Sequence, residues 1–164
     1  MFAELSKSFF MSVSQNKPLN KAAKKVGLRF GASQVVAGMT IESAIRKVQE
    51  LNAKGLVCTL DHLGEFVSNR EEAIEATEYN IRTLEAIAAA GVNSNLSVKM
   101  TQLGLDINRD FCLDNMRKIV ATAKKTNNFV RIDMEDYAHC QMTLDILNEL
   151  RQEFNNVGTV IQAY

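Results

Sequence analysis

The stretch IEATEYNIRTLEAIAAAGVNSNLSVK, residues 74–99, contains two structural patterns in succession. In its first part, apolar or small side chains recur at offsets of three and four, as one face of an amphipathic helix requires. These positions are Ile74, Thr77, Ile81, Leu84 and Ala88. Gly91 follows, where a helix would take its C-terminal cap, and the short run at 95–98 is typical of a buried strand. The stretch therefore predicts a helix followed by a strand.

The same alternation continues from Ile41 to Tyr164. Three further short apolar runs have strand character, at 55–60, 129–132 and 158–161. Further amphipathic helices are predicted over 114–125 and from Met142 onward. Parallel strands need crossover connections of about this length. The fold class is therefore α/β, with about four strand–helix units in a parallel sheet or a (βα) barrel with right-handed connections.

The first part of the chain has a different pattern. Residues 2–38 are predicted to form two short helices, the second with a basic face. That face is either the solvated side of an arm packed on the main body or a weak attachment to a membrane surface. We therefore divide the chain into an N-terminal helical arm, 1–38, and an incomplete (βα) barrel domain, 39–164.

Composition and charge exclude several classes of protein. Lys and Arg total 19, as do Asp and Glu, so no net charge attracts nucleic acid or an anionic membrane. No apolar run approaches the roughly 18 residues that a membrane-spanning helix needs, and no signal peptide is recognisable. The three cysteines are far apart and form no CxxC pair, which favours a reduced, cytoplasmic setting.

The usual motifs of metal and nucleotide sites are missing from the sequence. His62 and His139 lie in different units without metal-binding spacing, so no metal site is expected. No GxGxxG, P-loop or GxSxG motif occurs. Flavin remains possible, because barrel enzymes hold it with strand-end side chains and backbone.

Four polar residues follow or end the predicted strands: Asp61, Lys99, Asp133 and Gln162. In a parallel α/β structure the carboxyl ends of all strands lie on one side, where ligands bind. Each residue also has a purely structural explanation. Asp61 and Asp133 could cap turns, Lys99 could form a structural ion pair, and Gln162 could be a core amide bonded to the backbone.

Around these residues the sequence resembles the proline dehydrogenase family, specifically its compact monofunctional bacterial members. The matching segments are TLDHLGE at 59–65, SVKMTQLG at 97–104, VRIDMED at 130–136 and VIQAY at 160–164. The resemblance implies an eight-unit (βα) barrel that holds FAD. It also implies oxidation of L-proline to Δ1-pyrroline-5-carboxylate, with hydride passing from proline C5 to flavin N5 and electrons continuing to a membrane quinone.

The resemblance further implies roles for individual residues. Lys99 would bind the substrate carboxylate, and Asp133 would lie beside the proline ring and the flavin. Met134 and Gln162 would contact the isoalloxazine. Asp61 would form an ion pair that positions an arginine of the substrate site.

The family pattern continues through four more units, including a pair of arginines in the last helix, which this sequence does not contain. Four strands cannot close a barrel, and both sheet edges would stay open. We therefore expect the chain by itself to be inactive as a monomer and to self-associate, to aggregate, or to be part of a longer protein. Two alternatives are a non-catalytic half-barrel that binds a partner, and an aldolase that forms a Schiff base on Lys99.

Overall fold

The structure is a computed structural model that describes residues 36–162. Apart from residues 36–38, the predicted N-terminal arm lies outside the described residues, as does Tyr164. Helices and strands alternate in the order α1 (Ile41–Asn52), β1 (Cys58–Asp61), α2 (Arg70–Ala90), β2 (Ser94–Val98), α3 (Arg109–Lys125), β3 (Val130–Ile132), α4 (Tyr137–Glu153) and β4 (Val157–Thr159).

The four strands form one parallel sheet in the order β1-β2-β3-β4. Each strand pairs with its sequence neighbour, and a helix connects each pair, as the alternating pattern predicts. The α/β fold class with a parallel sheet is thus confirmed. All four carboxyl ends lie at the same edge of the sheet, so the residues that follow the strands are brought together.

Two strand boundaries differ from the prediction by two or more residues. The run at 55–60 enters the sheet only at Cys58, because Gly55 adopts φ 79° in the turn after α1 and leaves Leu56 and Val57 exposed. The last strand covers Val157–Thr159 instead of 158–161, and Ile161 is 82% exposed. Apolar character alone therefore starts the first strand too early and ends the last strand too late.

Side-chain caps make the helices longer than their apolar stripes predict. Asn69, Asn108 and Asp136 accept hydrogen bonds from backbone N–H groups in the first turns of α2, α3 and α4, at 2.8, 2.9 and 3.0 Å. Such caps satisfy N–H groups that lack partners within the helix. The helices therefore begin at the residue after each cap. The predicted stop at Gly91 is confirmed, with φ 61° in the left-handed region.

The buried apolar residues form two clusters. The larger core cluster joins β2, β3 and β4 to α2, α3 and α4, and includes Leu84, Leu96, Met116, Ile132 and Leu150. The smaller core cluster packs α1 and β1 against the end of α2 through Ile45, Val48, Leu60 and Ile87. Most of the sheet is therefore fixed by the larger core cluster.

Asparagines fix the opposite, amino-terminal ends of the strands. Asn52 donates to the carbonyl of Asn93 at 3.1 Å and accepts from its N–H at 2.7 Å. Asn128 donates to the Ser94 carbonyl, and Asn156 to that of Asn128, both at 3.1 Å. Asn52, the last residue of α1, thus ties the helix before β1 to the start of β2, whereas Asn128 and Asn156 each tie the start of one strand to the start of the preceding strand. These bonds hold the register that places the carboxyl ends.

Candidate functional site

Lys99 lies directly after β2, between two carboxylates from the neighbouring strands. Its Nζ is 3.1 Å from Oδ2 of Asp61, the last residue of β1, and 3.5 Å from Oδ2 of Asp133, which follows β3. The Lys99 side chain is 21% exposed, so the ammonium is largely removed from water yet still reachable. The structure thus brings together three of the residues predicted from the sequence.

Asp133 has further partners that the sequence reasoning missed. Its Oδ1 accepts from Ser97 Oγ at 2.6 Å and from Arg131 Nε at 3.1 Å, and an Arg131 terminal nitrogen donates to Ser97 Oγ at 3.1 Å. The two positive charges of Lys99 and Arg131 balance the two negative charges of Asp61 and Asp133. The four groups form a charge-balanced cluster at the carboxyl ends of β1, β2 and β3.

Strand alternation explains why this cluster faces away from the helices. Leu96, Val98, Val130 and Ile132 belong to the larger core cluster shared with the helices. Successive side chains point to opposite faces of a sheet. Ser97 and Arg131, which alternate with these residues along the strands, therefore point to the other face. Asp61, Ser97 and Arg131 are register partners across three strands, and form one row of the site.

The charges of this cluster stabilise one another. Partial burial alone would lower the pKa of Lys99, but the hydrogen bond and charge of Asp61, with the charge of Asp133, raise it above its ordinary value. Burial would likewise raise the pKa of Asp133, but Ser97 and the Arg131 guanidinium lower it. Lys99 is therefore a cation, and Asp133 an anion, across the neutral pH range.

Met134 and Gln162 lie beyond the ends of β3 and β4, and a hydrogen bond brings them together. The Gln162 side-chain Nε2 donates to the backbone carbonyl of Met134 at 3.3 Å. Gln162 is exposed and Met134 is partly buried, next in sequence to Asp133. All five residues singled out from the sequence thus lie at the carboxyl edge of the sheet.

The comparison with protein families adds an independent observation. The family model described as proline dehydrogenase matches residues 44–164, which include every residue of this edge. The chain belongs to the proline dehydrogenase family.

Individual proline dehydrogenases and related structures agree with this assignment. The chain is 46% identical to Proline dehydrogenase 1 of Bacillus subtilis (strain 168) over 94% of its length. It is 34% identical to Proline dehydrogenase of Deinococcus radiodurans over 100% of its length. The chain covers 51% and 54% of these two proteins, so it spans about half the length of the curated relatives it matches.

A solved structure shares the fold. The crystal structure of proline utilization A from Bdellovibrio bacteriovorus inactivated by N-propargylglycine superposes with a TM-score of 0.76 at 24% identity. The alignment covers 89% of this chain and 18% of that one. At this identity the likeness supports the barrel-type fold of the proline dehydrogenase family and nothing finer.

Three further features of the described residues concern membrane-spanning helices, metal ligands and reactive thiols. Within residues 36–162, no helix is long and apolar enough to cross a membrane, and no group of three or more His, Cys, Asp and Glu side chains could hold a metal ion. Cys58, Cys112 and Cys140 are free thiols, and burial raises the pKa of Cys112 to about 12. That thiol is therefore unreactive at neutral pH.

Ser97 and Arg131 are members of the site that sequence reasoning did not find. A signal existed for Arg131, since a cation at the centre of a predicted three- or four-residue strand requires a partner. Both residues lie inside the apolar runs from which the strands are predicted. The family resemblance rests on segments that include them, at 97–104 and 130–136.

Proposed function

We propose that this chain provides the substrate-binding end of an FAD-dependent proline dehydrogenase. The reaction is oxidation of L-proline to Δ1-pyrroline-5-carboxylate, with electrons passed on to a membrane quinone. The observation that carries the proposal is the Lys99 ammonium, held between Asp61 and Asp133 at the carboxyl edge of the sheet. Family membership supports it, because the relatives are named proline dehydrogenases.

Lys99 is suited to bind the proline carboxylate. An ammonium has three N–H donors, and the two aspartates accept two of them. The third can be directed at a substrate oxygen without breaking either protein contact. Because the aspartates keep Lys99 protonated, the amine is a poor nucleophile, which argues against an aldolase that forms a Schiff base here.

Asp133 is suited to stabilise the reacting ring. Removal of hydride from the carbon next to the proline nitrogen develops positive charge on the C–N unit. A fixed carboxylate beside that unit stabilises the charge, and Ser97 and Arg131 hold Asp133 ionised and oriented. Asp61 secures the other side of Lys99.

The residues after β3 and β4 fit a flavin. An isoalloxazine needs polar groups for its ring edge and polarisable or apolar groups for its face. Gln162 offers an amide at this edge, and Met134 offers a thioether next to Asp133. The bound flavin would supply the hydride acceptor, while the protein places the substrate and excludes water. The quinone acceptor implies a cytoplasmic protein with peripheral contact to the inner face of the membrane.

Kinetics of a Lys99 variant test this proposal. Two proteins would be assayed with a dye as electron acceptor. One is the chain by itself, and the other is the chain joined to the part of B. subtilis Proline dehydrogenase 1 that it does not match. We expect Lys99→Met to raise the KM for proline at least about tenfold, because a charge-assisted hydrogen bond contributes roughly 1.5–3 kcal/mol. Flavin content should be unchanged.

Glu149→Gln provides a matched control, because Glu149 binds Arg109 and Arg117 away from the strand ends and should leave KM unchanged. Absence of proline-dependent dye reduction in the flavin-loaded joined protein would overturn the proposal.

The open edges of the sheet favour a second candidate, a non-catalytic half-barrel that self-associates. Among the described strands, β1 and β4 each pair on one side, and apolar side chains such as Val57 and Ile161 are exposed near them. Such edges template pairing with another chain. Light scattering over a range of chain concentrations distinguishes a stable dimer without flavin from a flavin-binding enzyme.

A further inference from the structure

Thr101 lies two residues beyond Lys99, in the loop after β2. It forms hydrogen bonds to the loop after β3 and to the loop after β1. Its backbone N–H donates to Glu135 Oε1 at 3.1 Å, and its hydroxyl donates to Glu135 Oε2. On the other side, its Oγ1 accepts from Phe66 N at 3.1 Å, and its carbonyl accepts from Val67 N at 3.2 Å. We call these four contacts the Thr101 bridge.

The residue types of the Thr101 bridge match its hydrogen-bonding needs. Thr101 is fully buried, so its polar groups need protein partners. Glu135 receives two donors, an N–H and an O–H, and a carboxylate accepts both at once. A glutamine would present an N–H₂ group to one of these donors and lose that bond. A hydroxyl at 101 is equally specific, because it donates to Glu135 while accepting from Phe66.

The bridge is coupled to the charged cluster by short covalent paths. Lys99 is two residues before Thr101, and Asp133 is two residues before Glu135. Asp61 precedes the Phe66 and Val67 end of the bridge on the loop after β1. The bridge therefore fixes the spacing of the three loops from which the cluster side chains project.

We propose that Thr101 and Glu135 are positioning residues that hold Lys99 between Asp61 and Asp133. The effect of these residues on catalysis rests on the proposed function. Their effect on the position of Lys99 can be measured without any activity. Neither residue touches the reacting atoms. They act through the loops, and the spacing of the two carboxylates around the Lys99 ammonium depends on them.

Titration of Lys99 distinguishes positioning from simple stabilisation. The lysine side chains of the full chain would be labelled with ¹³C at Cε, and the Lys99 signal assigned from its loss in Lys99→Met. In Glu135→Gln and Thr101→Val we expect the Lys99 pKa to fall from its raised value, because the carboxylates that raise it separate from Nζ. In Thr101→Val, which removes the hydroxyl acceptor of the Phe66 N–H, hydrogen exchange of the Phe66 amide should accelerate about tenfold, as expected for loss of one hydrogen bond.

Two matched variants control for general destabilisation. Thr101→Ser retains the hydroxyl and should keep the native Lys99 titration. Glu149→Gln removes a glutamate with ion pairs to Arg109 and Arg117 and should leave the Lys99 pKa unchanged. If Glu135→Gln does not fold, the comparison of Thr101→Val with Thr101→Ser decides the question.

The inference would be overturned if Lys99 titrates alike in the wild type and in the folded bridge variants. Kinetics of the flavin-loaded joined protein add a second readout, in which Glu135→Gln raises KM for proline at unchanged flavin content. If the wild type oxidises no proline while the Lys99 pKa still falls in the variants, the proposed function fails and the positioning role stands.

Discussion

His139 is held between two carboxylates at the start of α4. Its Nδ1 is 2.6 Å from Asp136 Oδ1 and its Nε2 is 2.8 Å from Asp106 Oδ1, in the loop after β2. The hydrogen bonds to Asp106 and then to Asp136 raise the pKa of His139 above its ordinary value, against an opposing effect of burial. The imidazolium therefore links the loops after β2 and β3.

We predict that this link weakens with rising pH. Because the pKa of His139 is higher in the folded state, its stabilisation is fully present below the unfolded pKa and is lost as pH rises through the folded one. The free energy of unfolding of the wild type should exceed that of His139→Gln most below the ordinary histidine pKa of about 6.5, and this difference should shrink as the pH rises above it. Urea titrations across this range measure the difference, and a constant difference would contradict the prediction.

Position along a strand explains which site residues the sequence could identify. Asp61, Lys99 and Asp133 were found because each ends or directly follows a strand run. Ser97 and Arg131 lie within the runs, and although strand alternation puts both on the face away from the helices, only the register shows that they lie in one row. Cross-strand register depends on three-dimensional pairing, so a sequence pattern for one strand does not contain it.

At the scale of elements, the loop between β2 and α3 depends on one glycine. Gly104 has φ 95°, and its carbonyl accepts from the N–H groups of Ile107 and Asn108 at 3.0 and 3.1 Å. A Cβ at this position would lie 2.7 Å from Phe111 Cε1, on a ring that Arg70 covers at 4.0 Å. The loop that follows Lys99 thus leaves no room for a side chain.

We predict that Gly104→Ala lowers the free energy of unfolding by about 3 kcal/mol, from left-handed strain and the clash with Phe111 together. Gly91→Ala is a matched control, since Gly91 also has positive φ but its Cβ would meet no atom within 4 Å. It should cost only about 1 kcal/mol, from left-handed strain alone. Thermal or urea unfolding measures both, and equal losses would show that the contact with Phe111 is unimportant.

The elements themselves were predictable because helix periodicity and strand length are local properties. The ends of these helices and strands were less predictable. Leu56 and Val57 look like strand residues, yet they follow the turn that ends at Gly55 and lie outside the sheet. The starts of α3 and α4 depend on single capping side chains, Asn108 and Asp136, which precede the apolar stripe by several residues.

At the scale of the whole unit, the division into two core clusters follows from packing that the sequence does not show. The larger core cluster includes residues of β2, β3 and β4, whereas the smaller core cluster joins only α1, β1 and the end of α2. A small cluster at one end of a sheet opens more readily than the main core. We therefore expect α1 to open in a local step at lower free energy than global unfolding.

Two valine-to-alanine substitutions test this expectation with the same chemical change. Val48 in α1 is 1% exposed and Val130 in β3 is fully buried, so each substitution should cost about 2 kcal/mol locally. In native-state hydrogen exchange, Val48→Ala should accelerate exchange mainly within α1 and leave the slowest amides of β2 and β3 unchanged. Val130→Ala should accelerate those slowest amides, because they exchange only when the larger core cluster unfolds. If Val48→Ala accelerated exchange in β2 and β3 as strongly as Val130→Ala does, the two clusters would belong to one cooperative unit, and α1 would be as stable as the sheet.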